Sequence, residues 1–357
     1  MNLDDLSLLP HLDPQNTLAD IEALPAELEA AWERGQSLPL PLCSPNTRQV
    51  VVAALGVAAQ AADLLSALSA DACSLPVIVH RDYGLPALAA GPETLVVVVS
   101  SSGDDEESLD TLETALTRRC SILTLSAGGM LAERAASTRV THWAFSLRSL
   151  PSAAVAPCFG LLLALFTRCG WLADPSSALT DAIQAMREQQ QNLSPQVPAA
   201  LNPAKRYAGQ LVGRWVTVFG AGALSAVARR WKTQINELAK APASFEFLPE
   251  ADHNALAALV NPADLLQSRT LVMFLLSPSD HPRNRLRSEL TRQVFMLEGS
   301  NTDFYMAKGN SRLAHLWTAL HFGDYLAWYL ALAYQTNPAA AESLAYLKET
   351  LASQHTP

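Results

Sequence analysis

Short, almost entirely apolar runs alternate along this chain with longer segments whose apolar residues recur at helical spacing. The clearest run is Thr94 to Val99, and the runs Gln49 to Leu55 and Leu271 to Leu276 have the same character. Continuous apolar strands between helices are typical of a parallel sheet that helices cover on both faces. The alternation therefore predicts an α/β fold.

The same strand and helix pattern occurs twice. The strand at 216–219 and its glycine turn repeat the strand at 50–55, and the strand at 271–276 repeats the one at 94–99. Residues 190–203 between them are polar and proline-rich, a composition typical of linkers. We therefore predict an internal duplication. The predicted parts are an N-terminal helical segment at 1–45, a first domain at 46–190, a linker at 191–204 and a second domain with C-terminal helices at 205–357.

The composition describes a globular protein with a large core. The chain has 357 residues, of which 49% are hydrophobic and 17% are charged, and its formal net charge is −9. An acidic balance argues against a nucleic-acid-binding surface, but it permits a local site for a small anion.

Three features predict a cytoplasmic protein without a membrane span. The N-terminus is acidic and lacks the basic and apolar regions of a signal peptide. The longest uncharged apolar run, Val155 to Phe166, is shorter than a bilayer requires. The cysteines are scattered without metal-binding spacing, and we interpret them as reduced core thiols. They are Cys43, Cys73, Cys120, Cys158 and Cys169.

One stretch combines a glycine turn with groups that can move protons. The turn at 220–222 joins a predicted strand to a predicted helix at 223–240, and such a turn can receive an anion at the unpaired helical N–H groups. Glu237 lies near the end of that helix, and His253 follows sixteen residues later, after a turn. A carboxylate and a histidine form a natural pair for acid–base chemistry.

Several motifs carry a resemblance to a known family. The segment Ser100-Ser101-Ser102-Gly103 with the acidic residues after it resembles the serine loop of sugar isomerase (SIS) domains. The segments 230–237, 252–254 and 323–332 resemble core motifs of the bifunctional phosphoglucose/phosphomannose isomerase family. The resemblance extends over nearly the whole chain, and the segment 230–237 is its most specific part.

The resemblance implies two SIS domains and an aldose–ketose isomerase that uses neither a metal nor an organic cofactor. It would interconvert glucose 6-phosphate or mannose 6-phosphate with fructose 6-phosphate through a cis-enediol. By resemblance, Glu237 is the base, and His253 assists ring opening from the partner subunit of a homodimer. Lys348 matches the family's active-site lysine. A carboxylate, a histidine and a cation suit this chemistry.

The phosphate-binding positions depart from the family pattern. By resemblance, Gly56, Ser100 and Ser102 belong to the phosphate site. However, Ala58 stands where the family has a serine, and Asp105 stands where it has a threonine. A carboxylate at this place repels a phosphate dianion if both groups are ionised.

A guanidinium is also absent from its family position. Ser152 aligns with the arginine that the resemblance places opposite the enediolate, and Arg148 is the candidate to replace it. Because the site is altered, two alternatives remain open beside the isomerase. One is a catalytically degenerate SIS protein that binds a sugar phosphate, and the other is an isomerase with a changed sugar substrate.

Overall fold

The computed structural model describes residues 2–41, 46–148 and 150–354 of the chain. It contains two parallel sheets, each flanked by helices, and a helical segment precedes the first sheet. The predicted α/β fold with two domains is therefore confirmed.

The sequence predicts that the cysteines are reduced core thiols. Cys43 falls outside the described residues. Cys158 lies in the core, where burial raises the pKa of its thiol to about 12.

The first sheet has the strand order β2-β1-β3-β4-β5, and all of its strand pairs are parallel. Every residue of the central strand β3 is buried, as its continuous apolar run predicts. The strands are β1 (Gln49–Ala54), β2 (Val77–His80), β3 (Thr94–Ser100), β4 (Ser121–Ser126) and β5 (Thr141–Ala144). The helices before and around this sheet are α1 (Leu9–Leu12), α2 (Thr17–Ser37), α3 (Gly56–Ser69), α4 (Glu106–Thr117), α5 (Gly129–Thr138), α6 (Val155–Arg168) and α7 (Ser176–Gln191).

The second sheet repeats the first with one strand fewer, in the order β7-β6-β8-β9. In both sheets the first strand of the domain pairs with the second and third strands, so the predicted repeat is present in the topology. The strands are β6 (Trp215–Ala221), β7 (Ala243–Leu248), β8 (Thr270–Leu276) and β9 (Thr302–Met306). The helices are α8 (Pro203–Leu211), α9 (Leu224–Ala239), α10 (Ala263–Arg269), α11 (Pro282–Leu297), α12 (Arg312–Ala333) and α13 (Glu342–Ser353).

The N-terminal segment differs from the sequence interpretation at Pro25. Because proline is favoured in the first turn of a helix, the sequence predicts a new helix at Pro25, but Pro25 lies inside the single long helix α2. The sequence also predicts that Asp13 or Asn16 caps the preceding helix, and the Asp13 carboxylate does accept hydrogen bonds from the N–H groups of Thr17 and Leu18 at the start of α2. These bonds satisfy two of the donors that a helix leaves free at its N-terminus.

The apolar helical stretch around α6 is longer than the run seen in the sequence. With the 3₁₀ turn Pro151–Ala154 it spans residues 151–168, which is long and apolar enough to cross a membrane by length and composition. This corrects the expectation that the stretch is too short. However, 72% of the stretch is buried within the protein, and α6 packs against α2 and α3. Burial in a core accounts for its composition.

The proline-rich segment predicted as a linker is held firmly to the second domain. Leu193 and Asn202 are fully buried. The Tyr329 hydroxyl donates to the Leu193 carbonyl at 2.6 Å, and the Asn202 amide donates to the Tyr329 oxygen at 3.2 Å. The segment therefore connects the two sheets without freeing one domain from the other.

The helices α6 and α12 form a core that is shared by both domains. The rings of Phe159 and Trp317 meet edge to face, with centroids 5.2 Å apart. Gly323 allows α12 to approach α9 closely, because an added Cβ would lie 2.2 Å from Nε1 of Trp231. Trp231 cannot move away easily, since it is 1% exposed and its Nε1 donates to the Ala319 carbonyl at 2.8 Å.

This packing predicts that Gly323→Ala lowers the stability of the protein by about 1–3 kcal/mol, the usual cost of overpacking a core. Gly209→Ala in α8 is the matched control, because no atom of the described residues lies within 4 Å of its added Cβ. That control should raise stability by up to about 1 kcal/mol, as is usual for an exposed helical glycine. Thermal unfolding followed by circular dichroism measures both variants. Equal unfolding midpoints would contradict the packing argument.

Candidate active site

One face of α9 carries polar side chains into the boundary between the two domains. Arg230, Gln234 and Glu237 follow one another at spacings of four and three residues, so they share this face. Arg230 is 1% exposed and Gln234 is 2% exposed, whereas Glu237 is partly buried. Polar side chains are rarely buried to this extent unless they are paired.

Arg230 is the centre of a hydrogen-bond network that joins both domains. Its Nε and Nη2 donate to the two Asp324 oxygens at 3.1 and 2.7 Å. Its Nη1 donates to Oε1 of Gln60 in α3 at 2.9 Å, and its Nη2 also donates to the Ser152 carbonyl at 3.2 Å. The network therefore fixes the face of α9 that carries Glu237 against the first domain.

The Glu237 carboxyl lies in an environment that favours its protonated form. Burial raises its pKa above the ordinary value and is the largest effect. The nearby Asp324 carboxylate acts in the same direction, while the cations Arg230, Lys240 and Lys232 oppose it. A carboxyl whose pKa is moved toward neutrality can both take up and release a proton.

Gln234 adds a hydrogen-bond acceptor without a partner among the described residues to the same face. Its side chain hydrogen-bonds to Asp324, while its Oε1 is buried without a hydrogen-bond partner among the described residues. An unsatisfied buried acceptor is costly and calls for an explanation. A hydroxyl or carboxyl proton brought to this face would satisfy it.

The serine loop after β3 is occupied by its own carboxylate. The Ser100 hydroxyl donates to Oδ2 of Asp105 at 2.6 Å and accepts from the Gly103 N–H at 2.7 Å. Ser102 is exposed, and its hydroxyl accepts from the Asp104 N–H at 3.1 Å. The Asp105 carboxylate therefore uses the hydroxyl that would otherwise be free to bind an anion.

The first glycine turn leaves open space beside α3. Gly56 is exposed with a φ of 52°, and no atom of the described residues lies within 4 Å of a Cβ placed there. Ala58, in contrast, is 1% exposed and belongs to the main hydrophobic core. A serine at residue 58 would have to bury its hydroxyl.

Arg148 does not take the place of the missing arginine. Its guanidinium faces α2, with Nε 4.0 Å from Oδ1 of Asp20 and Nη1 3.9 Å from Oε1 of Glu27. The guanidinium that contacts Ser152 belongs to Arg230. The sequence interpretation assigned no role to Arg230, although an arginine within the apolar stripe of a helix is a signal of buried pairing.

Gln60 and Asp324 were also missed as parts of the site. Asp324 could have been noticed, because it is the single acidic residue of the long and mainly apolar helix α12. Gln60 gives no such signal, since it lies among the many alanines of α3 and only the fold brings it to Arg230.

His253 and Lys348 lie on the surface of the chain. His253 ends the 3₁₀ turn Glu250–His253, and Lys348 is exposed on α13. The turn is anchored through Asp252, whose carboxylate accepts from Arg287 and from Thr291, both at 2.7 Å. The described residues of one chain show no hydrogen bond or ion pair that links His253 or Lys348 to Glu237. Both stay predictions as site residues.

Comparisons with known proteins place the chain in a family. Residues 200–351 match the family model of the bacterial phospho-glucose isomerase C-terminal SIS domain. A bifunctional phosphoglucose/phosphomannose isomerase of Caldicellulosiruptor bescii is 32% identical over 330 residues, which are 92% of this chain and 97% of the relative. The enzyme of the same name from Aquifex aeolicus is 28% identical over 276 residues, 77% of this chain and 81% of the relative.

Solved structures show the same fold at lower sequence identity. A hypothetical protein from Thermus thermophilus has a TM-score of 0.74 at 16% identity, and the match covers 98% of this chain and 93% of that one. A tagatose-6-phosphate ketose/aldose isomerase from Escherichia coli has a TM-score of 0.59 at 16% identity, with 93% and 92% covered. The sequence relatives and the shared two-domain fold agree, and the chain belongs to the bifunctional phosphoglucose/phosphomannose isomerase family.

Proposed function

We propose that this protein is an aldose–ketose isomerase that interconverts glucose 6-phosphate or mannose 6-phosphate with fructose 6-phosphate. The observation that carries the proposal is the environment of Glu237. Its carboxyl has a raised pKa and shares a face of α9 with Arg230, whose network fixes that helix against the first domain. The relatives named as phosphoglucose/phosphomannose isomerases support the substrate class.

In this mechanism Glu237 removes a proton from C2 of the open-chain aldose phosphate and returns it to C1. One carboxylate can serve both carbons, because both protons move on the same face of a cis-enediol. The raised pKa favours the protonated carboxyl that must exist between the two transfers. His253 of a second subunit assists ring opening, and Lys348 stabilises the negative charge that develops on the enediolate.

Arg230 acts as a positioning residue in this proposal. It is 1% exposed and its guanidinium is bonded to Asp324, Gln60 and Ser152, so it is too enclosed to touch a sugar. Its position beside the Ser152 carbonyl nevertheless puts a positive charge close to the place of the family's arginine. The positive charge of Arg230 lowers the pKa of Glu237, whereas the negative charge of Asp324 raises it.

One observation favours a second candidate, a sugar-phosphate-binding protein with weakened or lost catalysis. The bond from Ser100 to Asp105 occupies the loop that the resemblance assigns to phosphate. An ionised Asp105 would also repel a phosphate dianion at that loop. Activity and binding must therefore be measured separately.

Replacing Glu237 by glutamine should abolish isomerase activity while the protein stays folded. The amide has nearly the same shape but cannot take up a proton near neutral pH, and general-base catalysis contributes about 10²–10⁴-fold. A coupled assay that detects glucose 6-phosphate formed from fructose 6-phosphate measures the loss. Glu289→Gln, on an exposed position of α11, is the control for the same chemical change elsewhere. Wild-type turnover by Glu237→Gln, with contaminating isomerase excluded, would refute the assigned base.

Replacing Asp105 by threonine should tighten the binding of fructose 6-phosphate by about 10- to 100-fold. The change removes a negative charge and frees the Ser100 hydroxyl to donate to phosphate, and a hydrogen bond to a charged group contributes about 1.5–3 kcal/mol. Isothermal titration in the Glu237→Gln background measures the affinity without turnover.

Asp105→Asn separates the charge from the hydrogen bond at this loop. The amide removes the charge but can still accept from Ser100, so its affinity should lie between those of wild type and Asp105→Thr. If both variants bind no more tightly than wild type, the phosphate does not lie at this loop, and a changed substrate becomes the better interpretation.

The proposed enzyme is a homodimer in which each subunit supplies His253 to its partner. Two observations support an extensive interface. His253 is exposed at the tip of an anchored turn, and α13 exposes the apolar side chains Leu344, Leu347 and Leu351 along one helix. A helix of this length is marginal in water without a packing partner.

Subunit exchange between two inactive variants tests the donation of His253. Glu237→Gln and His253→Ala should each be nearly inactive alone, and a refolded equal mixture should regain about one quarter of the wild-type activity. Half of the dimers are then mixed, and each mixed dimer has one complete site. A mixture no more active than its parents, although native mass spectrometry detects mixed dimers, would show that each site is built within one chain.

A further inference from the structure

The two domains use their first helices in the same way. A glycine with a φ of 52° lies at the start of each helix, Gly56 as the first residue of α3 and Gly222 two residues before α9. Asp63 lies seven residues after Gly56, and Arg229 lies seven residues after Gly222. The equivalent positions of the two domains are thus occupied by opposite charges.

These equivalent positions are in contact where α3 and α9 pack together. Nη1 of Arg229 lies 3.2 Å from Oδ2 of Asp63, so the crossing point of the helices is the same distance from both glycine turns. Residues at equivalent positions meet when two units are related by a local two-fold axis. The far end of α3 accordingly lies beside the glycine turn of α9, since Ala70, Asp71 and Gly222 line the same cavity.

The local symmetry produces two clefts between the domains. The first is the candidate active site, where Arg230 of α9 donates to Gln60 of α3 and to the Ser152 carbonyl, and Glu237 follows on the same face of α9. In the second, the end of α3 meets the turn of Gly222. Asp71 follows Gly56 by fifteen residues, as Glu237 follows Gly222, and Asp71 lines this second cleft.

The second cleft is an open cavity of about 630 Å³. This volume lies within the range of small-molecule sites, about 300–1,000 Å³. It opens beyond the carboxyl ends of β6 and β8, the place where ligands bind in open parallel sheets. Its charged and aromatic lining includes Arg229, Arg312, Asp63, Asp71, Asp280 and Phe247.

Ser279 adds a hydroxyl that is part of a small hydrogen-bonded cluster. His315 is 4% exposed, and its Nε2 lies 3.1 Å from the Gly309 carbonyl, so that nitrogen donates. Nδ1 is then an acceptor that lies 3.1 Å from the Ser277 hydroxyl and 3.0 Å from the Ser279 hydroxyl. The two hydroxyls are 2.8 Å apart, so Ser279 brings a group to the cleft that can donate or accept a hydrogen bond.

We propose that the second cleft is a binding site for the hydroxylated ring of a sugar. Guanidinium donors and carboxylate acceptors together match hydroxyl groups, which donate and accept. Phe247 is 47% exposed and offers an apolar ring at the rim. Three carboxylates and two guanidinium groups line the cleft, so a phosphate dianion gains no net positive charge there.

The carboxylate at the position equivalent to Glu237 has a different environment. The Asp71 side chain is 79% exposed and forms an ion pair with Arg312. Glu237, in contrast, is partly buried, and burial raises its pKa. A solvated, paired carboxylate is a weak candidate for a general base. Asp71 therefore binds a sugar hydroxyl in this proposal and does not repeat the role of Glu237.

Filling the cleft from its rim tests the proposal. Ala70 is exposed and lines the cavity, so Ala70→Trp should block it with little effect on the core. Ala136→Trp, at an exposed position of α5 outside the cavity, is the matched control. Isothermal titration with unphosphorylated fructose should detect binding to wild type and to the control, and binding at least about tenfold weaker to Ala70→Trp.

The outcome does not depend on isomerase activity, because fructose binding is measured without turnover. Equal fructose affinity in the two tryptophan variants, or no fructose binding by wild type at millimolar concentrations, would overturn the proposal. Binding of inorganic phosphate that is lost in Ala70→Trp, without fructose binding, would overturn the assignment to a sugar ring. If Ala70→Trp does not fold, Phe247→Ala serves instead, and its fructose affinity should fall about fivefold or more with the loss of the stacking face.

Discussion

The ion pair between Arg230 and Asp324 is the interaction on which the rest of this structure depends. Both residues are almost completely buried, so their charges are acceptable only because they neutralise each other. Removing one partner of such a pair costs about 3–5 kcal/mol, because the other charge is left buried alone. The pair joins α9 to α12, and the remaining donors of Arg230 extend the connection to the first domain. Stability and the placement of Glu237 therefore have the same physical origin.

In the loop around Asp105, an interaction that stabilises the fold competes with the proposed binding of phosphate. Its carboxylate stabilises the loop by accepting a short hydrogen bond from Ser100, and it does so at the position assigned to the phosphate. A ligand must displace this bond or share it. In the proposed function, the chain combines the base Glu237 with a serine loop whose Ser100 hydroxyl is already bonded to Asp105. The internal duplication adds a second cleft, in which the corresponding serine loop is bonded to His315 and stays open.

The sequence was sufficient for the features that depend on local pattern. The buried runs of β1, β3 and β8 and the helical spacing of α9 predict the elements that carry the site. The strand β7 gives no clear signal, because Ala243–Leu248 mixes polar with apolar residues and lies at the edge of the sheet. Pro25 fails as a helix boundary because tertiary packing along α2 overrides the local preference. The partners of Arg230 could not be predicted, since Gln60, Ser152 and Asp324 meet it only through the fold.

The most direct test of the account is proton exchange during turnover in heavy water. If Glu237 carries a proton between C1 and C2, some of these protons exchange with solvent while the carboxyl holds them. Nuclear magnetic resonance of fructose 6-phosphate incubated with the purified protein in D₂O should then detect an aldose 6-phosphate that is deuterated at C2, and deuterium at C1 of the remaining ketose. Neither signal should appear with the Glu237→Gln variant. Failure of the wild type to form the aldose phosphate or to incorporate deuterium, or equal incorporation by the variant, would contradict the account.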